Sequence, residues 1–147
     1  MRLPRFLAAG GAAAVAALGA PALPSAAAST SSAPVIHERF TLLPCPSKPR
    51  TTLQIEGCAE HRVVASDRMI DALNAKVFAK LGKTGRAAFT ASTTDWLGYR
   101  NDNCTAQSSI YSGGSIQPVA YANCLVSIDG SHVAELKTML TALEPAG

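Results

Sequence analysis

The 147-residue chain carries 13 Lys and Arg, 10 Asp and Glu, and a formal charge of +3. That balance is too even for a nucleic-acid binder, whose affinity comes from many Lys and Arg side chains neutralising phosphates, and the length suits one domain rather than a multidomain enzyme. The charge is also unevenly placed: residues 1–28 hold 12 alanines and only Arg2 and Arg5 as charges, and without them 11 basic side chains face 10 acidic ones.

Residues 1–28 have the plan of a secretory signal peptide. Arg2 and Arg5 make the charged start, residues 6–20 the apolar stretch, and Ala26, Ala27 and Ala28 the small-residue cleavage site. Ala and Gly dominate the apolar run, which falls short of the roughly 20 strongly apolar residues of a spanning helix. Cleavage is expected, with no stable membrane insertion afterwards and a mature protein that is secreted or held in the cell envelope.

Residues 29–44 read as a linker, rich in Ser and Pro with a short apolar piece. The domain proper is expected over residues 45–143, followed by a tail at 144–147. Pro44, Pro46 and Pro49 exclude a helix around Cys45, because each removes a donor and biases its neighbour towards extended backbone. From Thr52 to Leu81 the pattern turns helical, with Ala59, Val63, Ser66, Ile70, Leu73, Val77 and Leu81 on one stripe. Gly82 is a fitting stop, and Thr84 a fitting N-cap for a second helix over about 85–103, on which Phe89, Ser92, Trp96, Tyr99 and Asn103 share a face. Residues 105–117 are polar with two glycines and read as a loop. Pro118 suits the first turn of a third helix carrying Val119, Leu125, Val126, Val133, Leu136, Met139 and Leu140. Gly130 costs a continuous helix about 1 kcal/mol, so a bend or break is expected there. The fold class is all-α, a small three-helix bundle.

Cys45, Cys58, Cys104 and Cys124 are spaced by 13, 46 and 20 residues. Metal sites and thiol redox motifs need closer pairs such as C-x-x-C, so neither a metal nor a cofactor is expected. In an oxidising compartment an even count implies two disulfides, with three connectivities open. Local closure favours Cys45–Cys58 and Cys104–Cys124, each worth about 3 kcal/mol in the chain-entropy model. A short turn at Gly82 makes the first two helices antiparallel, which brings all four thiols to one end of the bundle.

The same counting pairs two charges. Asp67 lies 15 residues before Gly82 and Arg100 lies 16 after Thr84, so at about 1.5 Å per residue they are level. An interhelical Asp67–Arg100 ion pair is expected, flanked by Trp96 one turn away. Trp96 and Tyr99 are expected in the core.

Cys58, Asp67 nine residues later, and the run Trp96-Leu97-Gly98-Tyr99-Arg100-Asn101-Asp102-Asn103-Cys104 resemble the W-x-x-Y-R-x-x-x-C core of LprI-like lysozyme inhibitors (N-terminal domain). Gly113-Gly114-Ser115, Cys124-Leu125 and Leu136 also fit, so the similarity spans about residues 45–140. Thr93 stands where that family usually has Gln, Asn74 where Tyr is frequent, and His132 where Arg is common. The resemblance implies an exported, helical, disulfide-bonded domain and, for some members, inhibition of a lysozyme-type muramidase.

An inhibitor of such an enzyme must block a cleft that works with two carboxylates, and a stapled loop loses little entropy in doing so. Tyr111, Gly113, Gly114 and Ser115 are the partner-binding candidates. Tyr111 offers an amphipathic anchor and the glycines a close backbone approach. The alternative is a non-catalytic cell-envelope binding or structural module with another protein or glycan partner. Catalysis is not expected: there is no Gly-x-Ser-x-Gly, His-Glu-x-x-His or phosphate-cradling loop, and His37, His61 and His132 read as separate surface residues.

Overall fold

A computed structural model describes residues 32–36, 40 and 42–144 of the chain. The expected signal peptide, His37 and tail residues 145–147 lie outside them. The described residues form α1 (Thr52–Lys80), α2 (Lys83–Ser108), a 3-10 turn (Ser109–Tyr111) and α3 (Gln117–Ala142). The three-helix, all-α fold expected from the apolar periodicity is therefore present.

Each helix starts and stops for a local reason. Thr51 caps α1 by accepting from the Gln54 backbone N–H, while the Gln54 side chain reaches back to the Thr51 backbone. At the other end Arg86 donates to the Phe78 and Ala79 carbonyls and lies 4.9 Å from the Phe78 ring centroid, which closes the α1–α2 turn. Thr84 is not the N-cap of α2: the helix begins one residue after Gly82, with no side-chain cap. Helix α2 also continues to Ser108 through part of the expected loop. Buried Cys104 and Ser108 hold that last turn against α3, so packing overrides the weak helix propensity of its polar residues.

Helix α3 runs unbroken through Gly130. The expected interruption is absent because Asp129 points inward and is fully buried. Helix α3 packs closely on both other helices, and the long Arg100 side chain of α2 reaches Asp67 of α1.

The core falls into two apolar clusters. One, at the α1–α2 turn, contains Ile70, Val77, Phe89, Val133 and Leu136; the other, at the α2–α3 end, contains Ala59, Val63, Cys104, Ala122 and Leu125. Both disulfides pair as local closure favours: Cys45–Cys58 and Cys104–Cys124, with Cα–Cα distances of 4.6 and 5.5 Å.

The segment before Cys45 lies along α1. Ile36 enters the first cluster, its backbone N–H donating to Asp71 at 2.9 Å, and Pro34 O accepts from Asn74. Lower down, Leu43 donates to Glu60, its carbonyl lies 3.1 Å from His61 Nε2, and Phe40 packs on the second cluster. Glu56 lies one turn before Glu60. Burial, and then the Glu60 charge, raise the Glu56 carboxyl above its ordinary range. The fold therefore disfavours ionised Glu56, a penalty present at neutral pH and lost as pH falls through the raised pKa to the unfolded value. Glu56 sits past the first turn, where helix-dipole support fades. Glu56→Gln is expected to stabilise the protein at pH 7 by about 0.2–0.5 kcal/mol, with the gain gone in urea unfolding near pH 3.

Candidate functional site

The two apolar clusters are separated by a charged layer. Asp67 lies between Val63 and Ile70 on α1, and Asp129 between Leu125 and Val133 on α3. Arg100 of α2 reaches both: Nη2 is 2.8 Å from Asp67 Oδ1, and Nε is 2.6 Å from Asp129 Oδ1. Ser66 donates to Asp129 Oδ2 at 2.6 Å. The expected Asp67–Arg100 pair is thus present and has a third member that sequence reasoning missed. Arg100 and Asp129 are 0% exposed, so the layer has no access to substrate. It ties α1, α2 and α3 to one another at a single level of the bundle.

Of the two residues expected in the core, Trp96 packs against the first cluster at its edge and Tyr99 needs correction. Trp96 is half-buried, stacked on His132 with ring centroids 3.9 Å apart and lying 5.7 Å from the Arg100 guanidinium. His132, read as a separate surface residue, is one face of that stack and has Glu135 at 3.1 Å. Tyr99 is 59% exposed. It falls outside the buried face of α2 marked by Phe89, Thr93, Arg100 and Cys104, and its hydroxyl accepts from Asn103 Nδ2.

The three departures from the family pattern each have a local role. Thr93 is buried and donates to the Phe89 carbonyl; Asn74 holds Pro34; His132 covers Trp96.

The partner-binding candidates lie at the elbow between α2 and α3. Only residues 112–116 are non-helical there, a much shorter connection than the expected loop. Its turns are closed by backbone bonds from Ser112 to Ser109, Gly114 to Tyr111 and Gln117 to Gly114, at 2.9–3.1 Å. Gly113 has φ +78°, a conformation glycine adopts without strain. The Cys104–Cys124 disulfide joins α2 to α3 beneath it. Three apolar side chains stand out from this frame: Ile110 at 77% exposure, Tyr111 at 44% and Ile116 at 41%. Gly114 and Ser115 are also exposed. Ile110 is the most exposed of the three, and the place of both isoleucines in a Ser- and Gly-rich run hid them.

Behind Ile110 and Tyr111 a groove of about 540 Å³ opens between α2 and α3. Among the described residues no group of three or more His, Cys, Asp or Glu could hold a metal ion, and no helix is long and apolar enough to cross a membrane.

The family model described as lysozyme inhibitor LprI matches residues 45–136. An uncharacterized protein of Rhizobium meliloti (strain 1021) is 32% identical over 75 residues, which are 51% of this chain and 48% of that protein. The chain therefore spans about half the length of the curated relative it matches. No solved structure matches.

Proposed function

The chain belongs to the lysozyme inhibitor LprI family, and from that membership we propose that it binds a lysozyme-type muramidase and blocks its cleft with the α2–α3 elbow. The observation that carries this reading is the tip itself: Ile110, Tyr111 and Ile116 are exposed together on a turn closed by its own hydrogen bonds and stapled at its base. A preorganised apolar tip loses little conformational entropy on entering a cleft, and an aromatic at its centre is a typical binding anchor. The protein acts by binding, not catalysis. Its two disulfides suit an oxidising space outside the cytoplasm.

The test is turnover of a peptidoglycan substrate by a c-type lysozyme titrated with the oxidised protein. Because the three tip side chains carry no charge, inhibition should survive added salt that screens surface electrostatics. Tyr111→Ala should raise the inhibition constant roughly tenfold or more, equivalent to about 1.4 kcal/mol, and Gly114→Arg should weaken it through a bulky charge on the tip. Full inhibition by both variants would remove the elbow from the interface. No inhibition by folded wild-type protein would remove that lysozyme as the target.

A further inference from the structure

We propose that the groove between α2 and α3 binds a short N-acetylated glycan strand of the peptidoglycan type, so that the protein engages muramidase substrate as well as enzyme. The choice of strand rests on the muramidase reading; the ligand chemistry rests on the groove.

Its walls are uncharged and two-sided in character. Gln107, Asn123 and Ser127 supply polar groups, while Ile110, Tyr111 and Ala120 supply apolar surface. A volume of about 540 Å³ lies in the range of small-molecule sites. The lining side chains themselves carry no charge, and the Arg62 guanidinium beside them is directed at Asn123 Oδ1, so the groove suits a neutral ligand with both apolar and hydrogen-bonding faces.

The polar groups are already oriented. Asn103 donates to Tyr99 Oη and accepts from Gln107 Nε2 at 3.0 Å, a ladder that fixes the Gln107 amide along α2. With one Nε2 hydrogen so engaged, Gln107 can offer Oε1 to a ligand as an acceptor. On the facing helix Arg62 donates to Asn123 Oδ1 at 2.6 Å, so Asn123 offers its Nδ2 hydrogens. One wall accepts and the other donates. An acetamido group brings one N–H, one carbonyl and a methyl, which match Gln107 Oε1, Asn123 Nδ2 and the Ile110–Ala120 surface in turn. The ring of Tyr111 gives a sugar's C–H face an aromatic surface, and Ser127 a hydroxyl partner.

The experiment titrates the oxidised protein with the β-1,4-linked tetramer of N-acetylglucosamine, following side-chain amide resonances by NMR. The β-1,4-linked glucose tetramer serves as the acetamido-free control, and cosedimentation with purified peptidoglycan tests the strand itself. Saturable shifts at the Gln107 and Asn123 amides are expected with the acetylated tetramer, together with cosedimentation that the tetramer displaces. Gln107→Ala and Asn123→Ala, both at exposed sites, should each weaken binding roughly three- to tenfold, the worth of one hydrogen bond. No saturable response at about 10 mM, where even very weak specific binding registers, overturns the proposal. So does equal affinity for the glucose tetramer, unchanged affinity in both variants, or no cosedimentation. Association with muramidase is measured separately by direct binding without glycan. Loss of glycan binding with enzyme association intact removes only the groove, and the reverse removes only the inhibitor reading.

Discussion

Asp129→Ala is expected to lower stability by about 3–5 kcal/mol, the cost of removing one partner from a buried ion pair. Arg100 is 0% exposed and its Nε rests 2.6 Å from Asp129 Oδ1, so water cannot replace the lost carboxylate. Asp67 still meets Nη2, but Nε is stranded, and Ser66 keeps only the Val63 carbonyl as acceptor. The charges need not be indispensable as a set. Replacing Asp67, Arg100 and Asp129 together by apolar residues of matching volume should cost far less than the single change, since the desolvation of all three disappears with them. Urea unfolding followed by circular dichroism reads both. A single-variant loss below about 1 kcal/mol would mean that the layer is hydrated and would undo its description as buried.

Gly57→Ala should be destabilising by about 1–3 kcal/mol, the cost of overpacking, although alanine is the better helix former by about 1 kcal/mol. A Cβ at residue 57 would stand 2.7 Å from Pro44 O, 2.8 Å from Leu43 O and 2.9 Å from Leu43 Cβ. Two of those atoms are backbone, and the Cys45–Cys58 bond ties that backbone to the next helical residue, so the segment has little room to retreat. At Gly98 and Gly130 an added Cβ meets nothing within 4 Å. There the same substitution should stabilise by about 0.5–1 kcal/mol. The opposite signs, measured in one unfolding series, separate close approach from helix propensity. Faster amide exchange at Leu43 in Gly57→Ala would locate the damage; a stabilised Gly57→Ala protein would show that the segment is not held against α1.

Helical periodicity was enough to place the three helices, and counting from Gly82 was enough to pair Asp67 with Arg100, because both depend on distance along regular structure. Asp129 was hidden for the opposite reason. Next to Gly130 it looks like the start of a turn, and its partner Arg100 is 29 residues away on another helix. Tyr99 misled because its motif couples it to Trp96, whereas helix geometry puts Trp96 at the edge of the buried stripe and Tyr99 about 60° further round on the same side, in solvent. The Pro-containing stretch before Cys45 carries no periodicity. Its attachment to α1 comes from single bonds to Asp71, Asn74 and Glu60 that no local pattern announces. At the elbow, the exposure of Tyr111 and the turn at Gly113 were legible from residue type alone. Ile110 and Ile116 were not, since an isoleucine in a short connection can fold back onto the bundle or stand outside it, and only the completed packing decides.

The N-terminal segment has a geometric consequence for display. It runs antiparallel to α1, so Ala33 packs in the same cluster as Leu143, beside the α1–α2 turn. Both described ends of the chain therefore emerge at one pole, and the elbow occupies the other, the length of α3 away. Twenty-six helical residues make that separation about 39 Å. A protein immobilised on a bead, fused to a carrier or tethered to a surface through either pole-side end would hold its tip outward, free to meet an approaching enzyme.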